Sequence, residues 1–407
     1  MLLPWKLFQA SFSALSSTTS PSTQASIGST LDRAHALLSR TPIFDGHWDL
    51  PIFARWTVGD NLAKFAYNDT LKGQIDLPRI RKGGVGSFWS IAFVECPSST
   101  NVSLGPGPGW DWDDQPAQVV RDTLEQIDLT RQLVEYFPQD VALARTPNDF
   151  WENWKQGKVS HWIGLEGAHS LGNSLATLRT YAALGVTYLT LTHNCHNVFA
   201  DAAIPAPGSP DEVHGGLSHF GFRLVKELNR LGVAVDLSHT SPKTQLETLH
   251  VSSAPVIFSH SGAKAVYDHP RNIDDEVLRE LRKSERDFVV GVPFLSDFVR
   301  GAGNSTLEDV VEHAEYLAAK LGGKRHVALG SDYDGALEFS KGLEDAASYP
   351  RLVAKLMERG WTEKDLEGLA SENWLRVIGK IQRHGRVTRA GGARPDMRPW
   401  HGRHDCE

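Results

Sequence analysis

The sequence has few cysteines, no long apolar run and no excess of positive charge, and each shortage excludes a class of protein. Three cysteines in 407 residues are too few for a disulfide-rich scaffold or a zinc module with four cysteine ligands. No stretch reaches the roughly 18 consecutive apolar residues that suggest a membrane-spanning helix. The 42 basic and 49 acidic residues give a net charge of −7, so we expect no nucleic-acid partner.

The composition is otherwise that of a soluble globular protein, with 41% hydrophobic and 22% charged residues. Seventeen histidines are many for this length, which directs attention to metal binding. We expect a disordered leader over residues 1–30 and one catalytic domain over 31–383. A basic, flexible tail is predicted over 384–407, without the apolar run of a lipid-anchor signal.

Eight short apolar runs, each bounded by turn residues, have the composition of buried parallel strands. They cover residues 42–47, 86–94, 161–167, 185–193, 233–239, 255–260, 288–294 and 326–332. Helical periodicity lies between them, most clearly over residues 122–136, 220–231 and 307–321. This alternation predicts an α/β protein, and eight units favour a closed (β/α)8 TIM-type barrel over an open doubly wound sheet.

Titratable side chains lie at or just after the carboxyl ends of six of these runs. They are His47, Glu166, His193, His239, His260 and Asp332. In a barrel all of these ends surround one mouth, whereas an open sheet would spread them along a line. Because six such residues on six strand ends are hard to explain unless they meet, we predict a barrel with its active site at that mouth.

Five of the side chains around this mouth form a plausible donor set for metal. His47 and Asp49 are two residues apart, and an extended chain places both on one side. Glu166 follows a buried run, and His239 and His260 each follow a serine at the ends of successive strands. Taken singly, the carboxylate could form a salt bridge and each histidine could be a hydrogen-bonded core residue. Together, three imidazoles and two carboxylates suit two zinc ions that share Glu166.

Further candidates could serve the reaction and the substrate. Asp332 can act as general base and acid toward a metal-bound water, with Asp334 as a rival or as a helix N-cap. His193 could donate a hydrogen bond to a developing oxyanion. Arg271 suits a substrate carboxylate, and the alternative is a surface ion pair with a neighbouring aspartate.

These motifs, in this order, resemble those of the membrane (renal-type) dipeptidases, peptidase family M19. The resemblance runs from about residue 32 to 380. It is carried by His47-x-Asp49, Glu166-Gly167, Thr192-His193, Leu237-Ser238-His239, Ser259-His260-Ser261, Arg271-Asn272 and Gly330-Ser331-Asp332-Tyr333-Asp334-Gly335. The motifs are short, but their joint order and spacing are specific.

The resemblance implies a distorted (β/α)8 barrel with a dinuclear zinc site and a dipeptide substrate, including the Cys-Gly remnants of glutathione conjugates. Some family members also open β-lactams, and many are homodimers. The implied roles are His47 and Asp49 on one zinc, His239 and His260 on the other, Glu166 as the bridge, His193 and Arg271 on substrate, and Asp332 in proton transfer.

The resemblance also marks particular positions outside this set. Cys96 and Cys195 match cysteines that form a disulfide in animal members, whereas a second family disulfide has no counterpart. Trp48 stands where the family usually has asparagine, and we expect it to reshape the pocket floor. Residues 293–298 replace a stretch that often contains tyrosine, which weakens the case for recognition of a substrate carboxylate.

Three hypotheses follow for the function. The first is a zinc-dependent dipeptidase that works through a metal-bridging hydroxide, and the second is a metal-dependent lactonase or cyclic amidase on the same barrel. The third is an inactive barrel that acts as a binding protein, against which the complete donor set argues. The compartment stays open: the sequons at Asn68, Asn101 and Asn304 fit secretion, and the poor N-terminal leader fits the cytoplasm.

Overall fold

The computed structural model describes residues 25–96, 117–205 and 209–401. Most of the predicted leader, the sequon at Asn101 and Cys406 therefore lie outside the described residues. The first helix, α1, covers Ala25–Arg40, so the boundary predicted at residue 30 falls inside it.

In the described part of the chain, nine parallel strands form one sheet, and eight of them close into a barrel. They are β1 (Ile43–Trp48), β2 (Val85–Phe93), β3 (Val141–Leu143), β4 (Val159–Glu166), β5 (Val186–Thr190), β6 (Ala234–Asp236), β7 (Val256–Phe258), β8 (Phe288–Val292) and β9 (Val327–Leu329). Their order is β2-β1-β9-β8-β7-β6-β5-β4-β3, and pairing of β2 with β4 closes the ring. The predicted TIM-type barrel is confirmed, and its eight strands are those predicted. The additional strand β3 pairs only with β4 and is too short to be detected by its composition.

Helices surround this barrel. They are α2 (Leu50–Val58), α3 (Leu77–Lys82), α4 (Ala117–Tyr136), α5 (Pro147–Lys155), α6 (Leu175–Leu184), α7 (His219–Leu231), α8 (Pro242–Val251), α9 (Asp275–Lys283), α10 (Ser296–Val299), α11 (Leu307–Leu321), α12 (Tyr349–Glu358), α13 (Glu363–Glu367) and α14 (Asn373–Ala390). The three helices expected from periodicity correspond to α4, α7 and α11. Within the described ranges, no helix has the length and apolarity to cross a membrane.

Large aromatic side chains fill the barrel interior and leave the titratable groups at its mouth. Phe44 lies with its ring centroid 4.6 Å from that of Trp89, and Trp374 of α14 lies 5.2 Å from Trp89. Trp374 also donates a hydrogen bond to the carbonyl of Leu329. A side chain at Gly46 would place its Cβ 2.6 Å from the Trp374 ring, so the residue before His47 must be glycine for this ring to fit.

The last helix passes the predicted domain boundary at residue 383. Helix α14 continues to Ala390, and beyond it Asp396 forms an ion pair with Arg223 on α7, with an N–O distance of 2.7 Å. Trp400 is only 9% exposed. Arg389 also donates to the carbonyls of Arg230 and Leu231 at the end of α7. Such polar contacts of a sequence rich in glycine and arginine leave no apolar periodicity to detect.

We expect Asp287, just before β8, to stabilise the fold in a pH-dependent way. Its carboxylate bonds Arg376 and Lys380 of α14. Burial alone would raise its pKa, but these cations lower it from 3.8 to about 2. Asp287→Asn should therefore cost about 2 kcal/mol at pH 7.

The loss of stability in Asp287→Asn should be complete above pH 4, where Asp287 is ionised in the unfolded chain. It should become smaller as the pH falls toward 2. Chemical denaturation between pH 2.5 and 7 measures it, with Glu280→Gln, an exposed ion-pair partner of Lys283, as the matched control. A loss that does not change with pH would contradict the assignment.

Candidate active site

The five side chains predicted as metal ligands lie together at the barrel mouth, around Glu166. Its Oε1 lies 3.0 Å from Nε2 of His239 and 3.7 Å from Nε2 of His260. Its Oε2 lies 3.6 Å from Nε2 of His47, and that nitrogen lies 3.4 Å from Oδ2 of Asp49. The structure thus brings all five side chains to one place, while their role as ligands stays a prediction.

This cluster is buried and leaves polar atoms without partners. Nε2 of His47 and Oδ1 of Asp49 have no hydrogen-bond partner, and such buried atoms are costly unless something binds them. Nε2 of His239 and Nε2 of His260 face each other at 3.0 Å. Burial alone would raise the pKa of Glu166, but the charges of His47 and His239 hold it well below its usual range.

The outward nitrogens of the three histidines are already bound. Each Nδ1 lies within hydrogen-bond distance of an oxygen: Tyr188 Oη for His47 (2.9 Å), Asn194 Oδ1 for His239 (3.0 Å) and Ser259 Oγ for His260 (2.8 Å). When the Nδ1–H groups donate outward, the Nε2 lone pairs point at Glu166, as in metal-binding histidines. The donor set therefore fits divalent metal.

The backbone is strained at the residues that leave the strands. His239 and Asp332 have φ values of 66° and 68°, which non-glycine side chains rarely adopt. Both residues belong to the cluster around the mouth. Such strain persists only where surrounding contacts enforce it, and it is typical of functional sites.

Asp332 lies against the His47 side of the cluster. Its Oδ1 is 3.8 Å from Nε2 of His47, and its backbone N–H donates to the His47 carbonyl. Burial raises its pKa to about 7, although the charge of His47 opposes the rise. A carboxyl group poised near neutrality can both accept and return a proton.

Asp334, the rival candidate, is engaged elsewhere. Its Oδ1 accepts the backbone N–H of Gln74 at 2.6 Å, and its own N–H donates to the Gln74 side chain. Burial raises its pKa to about 7. No helix follows it, so the N-cap interpretation is wrong: the chain after Gly335 continues as turn and bend.

His193 lies beside the other half of the cluster. Its ring centroid is 4.5 Å from that of His239, and Phe93 packs edge-on against it at 4.7 Å. Burial lowers its pKa to about 4, against the charge of Glu166. The imidazole is therefore neutral at pH 7 and carries one N–H that it can donate.

A disulfide close to His193 joins the loop after β2 to the loop after β5. Cys96, after β2, is bonded to Cys195, after β5, which confirms the pairing implied by the family resemblance. Sγ of Cys96 lies 3.9 Å from Nδ1 of His193. The bridge thus restrains the chain immediately next to a candidate catalytic side chain.

Arg271 is buried with no carboxylate partner in the described part of the chain. Its guanidinium donates to the carbonyl of His260 at 3.4 Å and lies 4.8 Å from the ring centroid of Phe298. Burial lowers its pKa to about 10, so it remains charged at pH 7. The surface ion pair is wrong, because Asp274 and Asp275 bond lysines instead.

Trp48 does not lie in the pocket, contrary to expectation. Its indole is fully buried on the outside of the barrel, 4.2 Å from the ring of Phe88, and its Nε1 donates to Ser331 Oγ. The register of β1 with β2 shifts between Asp45 and Trp48, so the side-chain alternation is broken there and Trp48 faces the helices. Its bond to Ser331 instead supports the loop that carries Asp332.

Two contributors to the cluster were not identified from the sequence. Tyr188 lies in the middle of an apolar strand and resembles any buried tyrosine. Asn194, directly after His193, lies in an irregular loop where asparagine is common. Ser259, which contacts Nδ1 of His260, directly precedes it in the sequence. This serine–histidine pair was therefore the one such contact that the sequence indicated.

The chain is similar to known dipeptidases along most of its length. Residues 31–391 match the family model described as membrane dipeptidase (peptidase family M19). An uncharacterized dipeptidase of Schizosaccharomyces pombe is 43% identical over 348 residues, 85% of this chain and 82% of that protein. Dipeptidase aclJ of Aspergillus oryzae is 41% identical over 353 residues, 85% of this chain and 79% of that protein.

A solved structure has the same fold and carries a ligand. It is a metallopeptidase from Rhodobacter sphaeroides, liganded with a phosphinate mimic of the dipeptide L-Ala-D-Ala. It superposes with a TM-score of 0.72 at 28% identity, and the match covers 84% of this chain and 99% of that one.

Proposed function

Since the chain belongs to the membrane dipeptidase family, peptidase family M19, and is a metallo-dipeptidase, we propose that it hydrolyses dipeptides with two zinc ions. His47 and Asp49 would hold one ion, His239 and His260 the other, and Glu166 would be shared between them. The observation that carries this proposal is the buried set of three Nε2 atoms around one carboxylate, with each Nδ1 bound outward.

The metal pair, when bound, supplies a Lewis acid for the peptide carbonyl and lowers the pKa of water. Zinc is proposed over magnesium or calcium because imidazole nitrogens make up three of the five donors, and the latter two ions prefer oxygen. The side chains of the protein bind the carboxylate and the carbonyl oxygen of the dipeptide, and they move one proton.

The remaining three residues divide these tasks. Arg271, charged and without a carboxylate partner among the described residues, binds the free carboxylate of the dipeptide. His193, neutral at pH 7, donates a hydrogen bond to the carbonyl oxygen as negative charge develops there. Asp332 takes a proton from the attacking water and passes it to the leaving amine. Each role follows from the charge state and burial of the group.

The substrate class is proposed as free dipeptides, including Cys-Gly and its S-conjugates. The dipeptide mimic bound by the Rhodobacter sphaeroides relative supports small peptides as substrates. A buried arginine without a counterion also favours substrates that carry a carboxylate close to the scissile bond.

A dipeptide panel with metal removal and return tests the proposed function. The purified chain should cleave Cys-Gly and simple dipeptides, lose activity in chelator, and regain it with zinc. Tripeptides and N-acyl amino acid esters serve as substrate controls. A protein that holds two zinc ions and cleaves no dipeptide would contradict the proposal.

The lactonase or cyclic amidase alternative is separated from this proposal by Arg271. We expect Arg271→Ala to lower kcat/KM for dipeptides about 10- to 100-fold, as the loss of a charged hydrogen bond does. Hydrolysis of a neutral lactone should change little. Equal losses on both substrates would contradict the proposal that Arg271 binds the substrate carboxylate. Arg271→Lys is the control that preserves the charge.

A further inference from the structure

Two buried aspartates, Asp45 and Asp236, lie where regular strand pairing is interrupted near the mouth. The last paired residues of β1 with β9 and of β6 with β7 are Asp45 with Leu329 and Asp236 with Ile257. Both carboxylates are fully buried, and neither pairs with a cation among the described residues. Just after these pairs the regular ladder is interrupted, and nearby backbone N–H groups take carboxylate oxygens as acceptors instead.

Asp45 supplies such an acceptor to the strand ends that carry His47 and Asp332. Its Oδ1 accepts the N–H of His47 at 2.9 Å and the N–H of Ser331 at 3.1 Å. Its Oδ2 accepts the hydroxyl of Tyr349 at 2.7 Å. The Asp45 carboxylate thus holds the backbone at His47 and the backbone just before Asp332.

Asp236 repeats this arrangement in the other half. Its Oδ1 accepts the N–H of Ser238, two residues along its own chain, at 3.2 Å, and the N–H of Ser259 at 2.7 Å. Its Oδ2 accepts the hydroxyls of Thr190 and Ser259, both at 2.6 Å. Ser238 and Ser259 directly precede His239 and His260.

Of these two aspartates, Asp236 is the one whose hydrogen bonds continue, among the described residues, to a histidine ring. Oγ of Ser259 lies 2.8 Å from Nδ1 of His260. The serine has a single hydrogen, and it donates that hydrogen to a carboxylate that has none to give. Ser259 can then only accept from His260, so the ring proton is on Nδ1 and the Nε2 lone pair faces Glu166.

We propose that Asp236 is a positioning residue that acts through the Ser259 hydroxyl to hold His260 in the tautomer whose Nε2 can bind a metal. This inference rests on the proposed metal site. In Asp236→Asn, the amide would donate to Ser259, and the serine hydrogen would turn to Nδ1 of His260. The ring proton would move to Nε2 and block the ligand position. Among the described residues, Asp45 has no such connection to an imidazole and bonds backbone N–H groups and the Tyr349 hydroxyl.

Nitrogen NMR of the metal-free protein tests the tautomer directly. With ¹⁵N-labelled histidine, the His260 signals are assigned by their absence in His260→Gln. We expect a protonated Nδ1 in the wild type and in Asp45→Asn, and a protonated Nε2 in Asp236→Asn. If Asp236→Asn does not fold, Ser259→Ala takes its place, and its Nδ1 should lose the hydrogen-bonded shift of the wild type.

Zinc titration against a chromophoric chelator gives the second readout. Asp236→Asn and Ser259→Ala should each weaken one of two zinc equivalents about 10- to 100-fold and leave the other unchanged. Asp287→Asn, at a carboxylate that precedes β8 and is paired with α14, should leave both unchanged. Wild-type tautomer and zinc affinities in both variants would overturn this inference and leave the proposed function standing. A wild type that binds no zinc would instead overturn the proposed function.

Discussion

Glu166→Gln should abolish dipeptide hydrolysis, with kcat/KM at least about 1,000-fold lower, because one carboxylate serves both proposed metal positions. Its two oxygens face different partners, with Oε1 toward His239 and His260 and Oε2 toward His47. An amide of the same shape keeps one acceptor and loses the negative charge. We therefore expect both zinc equivalents to weaken together, as measured by metal analysis after dialysis.

Glu227→Gln is the matched control for this variant. Glu227 is also buried, but it pairs with Arg179 and Arg230 on the outside of the barrel. Its replacement should lower the melting temperature without changing the zinc content. Full activity in Glu166→Gln, or loss of only one zinc equivalent, would contradict the shared-carboxylate arrangement.

Asp332→Asn is expected to lower kcat about 10²- to 10⁴-fold, the usual contribution of a general acid–base group. Asparagine cannot carry the proton between the attacking water and the leaving amine. Because Asp332 lies 3.8 Å from His47 and is not in the proposed ligand set, both zinc ions should remain bound and KM should change little. Steady-state kinetics with metal analysis on the same samples make this measurement.

Asp334→Asn separates the two candidate aspartates. Its carboxylate bonds the Gln74 backbone rather than the cluster, so this variant should lose far less activity than Asp332→Asn. The reverse order of the two losses would transfer the proton-transfer role to Asp334. Equal losses, accompanied by loss of zinc, would show that both act only through structure.

The fold could be predicted because its signals are repetitive. Eight apolar runs separated by helices indicate a parallel barrel, and polar residues at the ends of those runs locate its mouth. Each predicted run overlaps a strand of the barrel, although several strands end two or three residues earlier, as for Val256–Phe258 within the predicted 255–260. Position in a barrel is a strong constraint, since it brings together residues more than 200 positions apart.

The supporting contacts could not be predicted in the same way. The carboxylates of Asp45 and Asp236 act on backbone N–H groups of neighbouring strands, and no local spacing indicates which N–H groups lack partners. Trp48 was expected in the pocket because it stands between two candidate ligands. A register shift of β1 between Asp45 and Trp48, which no local spacing indicates, places it outside. The contacts after residue 383 are ion pairs and hydrogen bonds to backbone carbonyls, which leave no periodic signal.

Anomalous scattering at the zinc edge, from crystals of the protein as purified, tests the central claim most directly. The account predicts two peaks at the barrel mouth, one beside His47 and Asp49 and one beside His239 and His260, with Glu166 between them. No peak at the mouth, a single peak, or peaks only elsewhere on the protein would contradict it.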